Sequence, residues 1–316
     1  MKLRVCVLPL MISGAVFASE PLTLDTGSGL LHGTLELPAS KPPFAIALII
    51  AGSGPTDRDG NSAVIKGKND SLKLLAQALA ARGIGSLRYD KRAIAESQPA
   101  AVKEADLRFD TFVDDAVKWG EFLRKDGRCR SLAIIGHSEG SLIGMIGAQR
   151  LLANGFVSIA GPGVPGGQKL LEQLRARKLP PDLAKQTESI VKSLEEGHTV
   201  EPTPPALAAL FRPSVQPYLI SWFKYDPARE IAKLRMPVLI LQGTTDVQVS
   251  VKDAQALAAA NPGAKLVLID GMNHVLKEVP ADHEKQLASY GDAALPVVPK
   301  LVDEIANLIN NSKAQK

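Results

Sequence analysis

The chain alternates short β-rich runs with longer segments whose apolar residues recur every three or four positions. Phe44 to Ala51, Gly85 to Tyr89, Ser131 to Gly136, Pro237 to Leu241 and Lys265 to Ile269 are runs of the first kind. The first is bounded by Pro43 and Gly52, as a strand buried on both faces should be. Between the runs, Ser71 to Arg82 sets Leu72, Leu75, Ala76 and Leu79 on one helical face, with Asn69 or Asp70 as candidate N-cap and Gly83 at its end. Phe109 to Lys125 does the same with Phe112, Val113, Ala116 and Leu123. Further helices are expected from about Glu139 to Ala153, from Val251 to Ala260 and from Pro296 to Asn311. Leu22 to Thr26 and Leu30 to Leu37 form an opening hairpin around a Gly-Ser-Gly turn. Strands separated by such helices imply right-handed crossovers, hence an α/β fold with a mostly parallel sheet and helices on both faces.

One stretch breaks the alternation. From Gly163 to about Lys233 no strand-like run occurs. Charged helical segments, Gln168 to Leu179 and Asp182 to Glu196, are instead broken by Pro180-Pro181 and Pro202 to Pro205. This divides the chain into a core, 19–162 and 234–316, and a helical cap insertion, 163–233. At 45% hydrophobic over 316 residues, the chain is long enough for one large α/β domain with such an insertion.

The first residues, MKLRVCVLPLMISGAVFASE, place Lys2 and Arg4 ahead of an apolar run that closes on Val16-Phe17-Ala18, a small-x-small cleavage signature. Residues 1–18 therefore predict a secretory signal peptide and a periplasmic or secreted protein starting near Ser19. A membrane span needs about 20 apolar residues, and Pro9 and Gly14 interrupt this run, so no stable membrane insertion is expected once the leader is removed. Cys6 lacks the small residues that precede a lipidated cysteine. The formal net charge of +4 falls to +2 when Lys2 and Arg4 leave with the leader, with no long basic run to suggest nucleic acid. Cys129 then stands alone, which precludes an intramolecular disulfide, and no cysteine cluster offers a metal site.

Candidate chemistry sits in "IIGHSEGSLIGM", Ile134 to Met145. A lone Gly-x-Ser-x-Gly is a weak signal, but here the strand Ser131 to Ile135 leads into it and a helix rich in small residues leaves it. Ser138 at that corner fits a nucleophile on a strained turn, where side chains at Gly136 and Gly140 would crowd the backbone.

With "LHGTLELP", "IIAGSGPTDRDGNS", "GIGSLRYDKRA", "GHSEGS" and "PVLILQGTTDVQV" in that order, the chain resembles the α/β-hydrolase superfamily, in particular its exported esterase-like branch grouped with the serine aminopeptidase type. The resemblance covers nearly all of the sequence after the leader. It implies a Ser, acid, His triad, an oxyanion hole between the third strand and the nucleophile, and a cap domain.

A serine hydroxyl needs a neutral imidazole to take its proton and a carboxylate to orient that imidazole. Of the five histidines, His274 in "DGMNH" lies beyond the last strand, where the superfamily's base sits. His137, next to Ser138, is expected to point away along the strand. Asp246 in "QGTTD" is preferred as the acid; Asp270 reads as a strand-end turn residue and Asp226 as a helix cap. The backbone N–H groups of Glu139 and Ser53 are the candidate oxyanion donors. Asp57, Arg58, Asp59, Asp90 and Arg92 read as a structural ion-pair network.

Five aromatic residues fall between Phe211 and Tyr225, and Tyr218, Trp222 and Phe223 are the candidate substrate-pocket residues. The functional expectation is ester hydrolysis on small to medium acyl groups, with no cofactor, a small-molecule ester as substrate, and no nucleic acid. An aminopeptidase or acyltransferase using the same triad is the nearest alternative, with the Glu139 carboxylate as a possible acceptor for a substrate amine. A binding protein that has lost its chemistry is the alternative of a different class.

Overall fold

Alternate residues of the central strands supply two separate cores, one on each face of a single sheet. In the computed structural model, which describes residues 18–100, 102–176 and 179–312, that sheet has eight strands. They are β1 (Ala18–Asp25), β2 (Leu30–Leu37), β3 (Phe44–Ile50), β4 (Gly85–Tyr89), β5 (Cys129–His137), β6 (Gly155–Ile159), β7 (Val238–Gly243) and β8 (Lys265–Ile269). Their spatial order is β1-β2-β4-β3-β5-β6-β7-β8, with β1–β2 and β2–β4 antiparallel and every later pairing parallel. The predicted leader lies, but for Ala18, outside the described residues.

The helices are α1 (Ser71–Ala80), α2 (Phe109–Lys125), α3 (Glu139–Leu151), α4 (Gly166–Ala176), α5 (Pro181–Glu195), α6 (Ala208–Phe211), α7 (Gln216–Phe223), α8 (Pro227–Ala232), α9 (Val251–Ala260), α10 (His283–Ser289) and α11 (Pro299–Asn311). Ile46, Leu48 and Ile50 of β3 pack with α2, α3 and α9 on one face. Ala45, Ala47 and Ile49 of the same strand pack with α1 and α11 on the other. This period-two division explains why β3 reads as an unbroken apolar run: both of its faces are covered.

The sequence reading misses β6. Its five residues, Gly-Phe-Val-Ser-Ile, lie in the short span between the helix read to Ala153 and the insertion read from Gly163. The structure buries Ser158 by pairing its hydroxyl with that of Ser141 at 2.7 Å. The parallel register of β5 with β6, Gly136 opposite Ser158, carries the sheet past Ser138 to β7 and β8.

Helices α4, α5, α6 and α7 enclose an apolar cluster of their own, built on Leu174, Ile190, Val191, Leu194, Phe211 and Phe223. This group meets the rest of the molecule largely through α7 against α2, where the Phe109 N–H donates to Ser221 Oγ at 2.8 Å. Helix α8 falls inside the range 163–233 that the sequence reading assigns to the insertion. Its Ile231, with Leu234 just beyond, packs instead in the core formed with α3 and α9. Asp226 caps α8, its carboxylate accepting from the Ala228 N–H at 2.9 Å.

Candidate active site

Strand β5 ends at His137 and α3 begins at Glu139, which leaves Ser138 at the corner with φ 55° and ψ −123°. Holding a side-chain-bearing residue there costs on the order of 1–3 kcal/mol, so its surroundings must enforce it. The Ser138 N–H donates to the Ile159 carbonyl at 2.9 Å, and its own carbonyl accepts from the Ser141 N–H at 2.9 Å. The flanking glycines follow from close approach. A Cβ on Gly136 would stand 2.2 Å from the Gly140 oxygen, and one on Gly140 would stand 2.3 Å from the Ile50 oxygen. The helix can turn this sharply onto the sheet only without those side chains.

Asp246 follows β7 in a turn where its Oδ1 accepts from the N–H groups of Gln248 and Val249 at 2.7 and 3.0 Å. Its Oδ2 lies 2.8 Å from His274 Nδ1 and 3.2 Å from the Gln242 amide nitrogen. Burial opposes ionisation of Asp246, but the neighbouring imidazole and the two N–H donors outweigh it, so the carboxyl is held below its ordinary value. An ionised carboxylate only accepts, so Nδ1 carries the imidazole proton and Nε2 keeps its lone pair.

His274 is held on the turn after β8 by Asn273, a fully buried residue. The Asn273 Oδ1 accepts from the N–H groups of Val275 and Lys277 at 3.1 and 3.0 Å, and its Nδ2 donates to Ser289 Oγ at 2.8 Å. Asp270, one turn earlier, accepts from the Thr244 hydroxyl at 2.9 Å as a strand-end residue.

Ser138, His274 and Ser53 line one cavity of about 150 Å³, together with His137, Gln248 and Tyr290. A Cβ placed on Gly52 would come within 3.1 Å of the Ser138 Cβ, so the chain after β3 runs directly beside the serine. Among the described residues no hydrogen bond joins the Ser138 hydroxyl to the imidazole, and the Ser53 and Glu139 N–H groups have no partner. Thr56, Asn69 and Ser71 add hydroxyl and amide groups to the wall. Sequence reasoning gave these residues no part in the site; they come from the loop after β3 and the start of α1.

Three expectations are corrected. His137 does not point away: its ring sits 4.8 Å from that of His274, and its Nε2 lies 2.8 Å from the His274 carbonyl oxygen. Burial, reinforced by the charge of His274, pushes its imidazole down to about 3. The Glu139 carboxylate does not face the cavity; it is buried against the Lys91 ammonium at 3.2 Å and the Tyr218 hydroxyl at 2.5 Å. Nor do Tyr218, Trp222 and Phe223 line the cavity. Tyr218 packs on Phe109 and Phe112 of α2, Trp222 lies over Gly166, and Phe223 belongs to the apolar cluster of α4–α7. An aromatic face on α7 is used up by its own neighbours before it can reach Ser138.

The charged residues of the two loops beside the site form ion pairs. Arg58 pairs with Asp90 at 2.6 Å and with Glu96, Arg88 with Asp59 at 2.8 Å, and Arg92 with Asp115 at 2.6 Å. Asp57 closes its own loop by accepting from the N–H groups of Asp59 and Asn61. Among the described residues, no group of three or more His, Cys, Asp or Glu is placed to hold a metal ion, and no helix is long and apolar enough to cross a membrane.

A serine on a strained strand-to-helix turn, followed in chain order by a carboxylate after β7 and a histidine after β8, is an arrangement shared by a known family. The model of the Alpha/beta hydrolase family matches residues 47–289. The chain belongs to the alpha/beta hydrolase family. Within reach of that alpha/beta hydrolase assignment, the chain is 27% identical over 287 residues to Esterase EstD of Thermotoga maritima. That match covers 88% of this chain and 66% of the relative, so the chain spans a little under two thirds of that protein's length. Among solved structures, Est1E from Butyrivibrio proteoclasticus, with ferulic acid bound, matches with a TM-score of 0.59 at 17% identity, over 92% of this chain and 100% of that one. The Pyrococcus furiosus esterase Pf2001 matches with a TM-score of 0.59 at 14% identity, over 99% and 96%. At these identities the structures establish the alpha/beta hydrolase fold alone.

Proposed function

We propose that the protein is a serine hydrolase that cleaves carboxylic esters of small to medium acyl groups through an acyl-enzyme on Ser138. The observation that carries this reading is the Asp246–His274 pair, 2.8 Å apart, whose His274 lines the same cavity as the strained Ser138. The esterase names of EstD, Est1E and Pf2001 favour an ester as substrate. In the first half-reaction Ser138 Oγ attacks the acyl carbonyl while His274 Nε2 takes its proton. The resulting oxyanion accepts hydrogen bonds from the N–H groups of Ser53 and Glu139. Collapse expels the alcohol, which leaves with the proton from His274. Water then repeats the sequence on the acyl-enzyme, releasing the acid and freeing Ser138.

The cavity of about 150 Å³ is smaller than the roughly 300–1,000 Å³ of ordinary ligand pockets, which favours short acyl groups. A neighbouring hollow of about 470 Å³ shares Ser62 and Ile65 with it and offers room for the rest of the ester. An aminopeptidase is disfavoured because the carboxylate of Glu139, the residue after Ser138, is committed to Lys91 and Tyr218. We also propose that residues 1–18 export the protein to the periplasm or beyond, and that the segment 163–233, through α4–α7, forms a cap.

The test is a fluorophosphonate probe, followed by kcat/KM for p-nitrophenyl esters of increasing acyl length beside aminoacyl p-nitroanilides. Labelling lost in Ser138→Ala, with acetate and butyrate esters hydrolysed fastest, is the expected result. Folded protein that resists the probe sinks the enzyme reading, and anilides turned over faster than every ester promote the peptidase.

A further inference from the structure

Three parts of the fold meet at one buried ammonium. Lys91, just past the end of β4, has its Nζ 2.6 Å from the Gly52 carbonyl oxygen and 3.2 Å from Glu139 Oε2, and 5.2 Å from the centre of the Phe112 ring. Its side chain is only 3% exposed, and that of Glu139 5%. Taking such a pair out of water is expensive, and apolar residues of similar volume often serve packing at least as well. Lys91 is also separate from the neighbouring ion pairs of Arg58, Arg88 and Arg92, whose partners are Asp90, Glu96, Asp59, Glu36 and Asp115. It is bound instead to Gly52, which lines the cavity, and to Glu139, which follows Ser138.

Of the two residues it holds, Glu139 carries one of the N–H groups assigned to the oxyanion, and Gly52 immediately precedes Ser53, which carries the other. The peptide joining Gly52 to Ser53 is planar and trans, so its carbonyl and its N–H point to opposite sides. An ammonium fixed on the oxygen therefore sets the plane of the peptide and the direction of the Ser53 N–H. Gly52, with no side chain to anchor it, depends on such a contact. A cation on the oxygen also polarises the amide and strengthens its N–H as a donor, since hydrogen bonds in series reinforce one another. Glu139 completes the link: its carboxylate neutralises Lys91, while its backbone N–H is the other donor at the head of α3. The Tyr218 hydroxyl on Glu139 ties the same network to α7.

We propose that Lys91 is the positioning residue of the oxyanion hole, holding the Gly52–Ser53 peptide so that the Ser53 N–H is preorganised for the tetrahedral intermediate. This rests on the serine-hydrolase reading of Ser138. Lys91→Met alone would strand the Glu139 carboxylate without a counter-ion, so the comparison is Lys91→Met/Glu139→Gln against Glu139→Gln, with Lys91→Arg as the conservative variant. Two quantities are read: kcat and KM for p-nitrophenyl acetate, and the inhibition constant of propylboronic acid, which becomes a tetrahedral anion on a serine hydroxyl.

Removing one oxyanion donor outright typically costs about 10²- to 10³-fold in kcat, and misdirecting one costs part of that. The double variant is expected to lose about ten- to hundred-fold in kcat and a similar factor in boronate affinity, relative to Glu139→Gln, with KM within about threefold. Lys91→Arg is expected to retain much of both. A folded double variant with kcat and boronate affinity within about twofold of Glu139→Gln overturns the proposal, as does a loss confined to KM or to thermal stability. Wild-type protein that neither hydrolyses the ester nor binds the boronate instead sinks the serine-hydrolase reading, and the role of Lys91 with it.

Discussion

Asp246 is the residue on which the proposed chemistry turns most sharply. Its carboxylate, with no exposed side-chain surface, spends one oxygen on two backbone N–H groups and the other on His274, so it is both fixed in place and kept charged. Replacing it with Asn preserves the shape but presents an amide that can donate, which lets His274 adopt the tautomer whose Nε2 carries a proton and no longer accepts one. Asp246→Asn is therefore expected to lower kcat by a factor on the order of 10⁴ while leaving KM within a few-fold, as steady-state kinetics on a p-nitrophenyl ester will read. A loss of less than about tenfold would remove Asp246 from the role of acid.

At the scale of elements, the strand-to-helix corner of β5 and α3 is the most constrained piece of backbone around the site. Both turn glycines are demanded by main-chain oxygens of neighbouring segments, which cannot swing aside as a flexible side chain can. Gly140→Ala pushes a methyl group against the Ile50 carbonyl and forces α3 away from β3. It is expected to destabilise the protein by about 1–3 kcal/mol, measured by urea unfolding, and to reduce ester turnover more than that loss of folded protein explains, because Ser138 and the Glu139 N–H move with the helix. Wild-type stability and turnover in this variant would mean that the corner tolerates more slack than its contacts imply.

Across the whole molecule, the site imposes a pH dependence on stability. The His137 imidazole is pushed from the usual 6.5 down to about 3, so between these values the unfolded chain binds a proton that the folded chain refuses. Its contribution is complete above pH 6.5 and is lost as pH falls toward 3. Asp246, also depressed, adds a second loss below its usual 3.8. Urea midpoints are therefore expected to fall between pH 6.5 and 4. His137→Gln, which keeps an amide donor for the His274 carbonyl but does not titrate, is expected to shrink that fall by about 3 kcal/mol. An unchanged pH profile in the variant would assign the acid sensitivity elsewhere.

Much of this architecture is local in origin and was therefore legible in the chain itself. The apolar runs of β3, β4, β5, β7 and β8, the helical periods of α1 and α2, and the glycines around Ser138 are all written within short windows, because burial on two faces, the helical repeat and a crowded turn each act over a few residues. Chain order, read with the family resemblance, pointed to Asp246 and His274, since both follow strand ends that the pattern marks. What only tertiary structure decided is which way side chains point where elements end, and which distant loops share a wall. His137 turned toward His274, the aromatic face of α7 was spent on α2, Gln248 and Tyr290 met across the cavity at 2.8 Å, and Lys91 reached Gly52 and Glu139 from β4. These outcomes depend on contacts between residues tens to more than a hundred positions apart, made by strand order and helix packing, and no local period of the sequence encodes them.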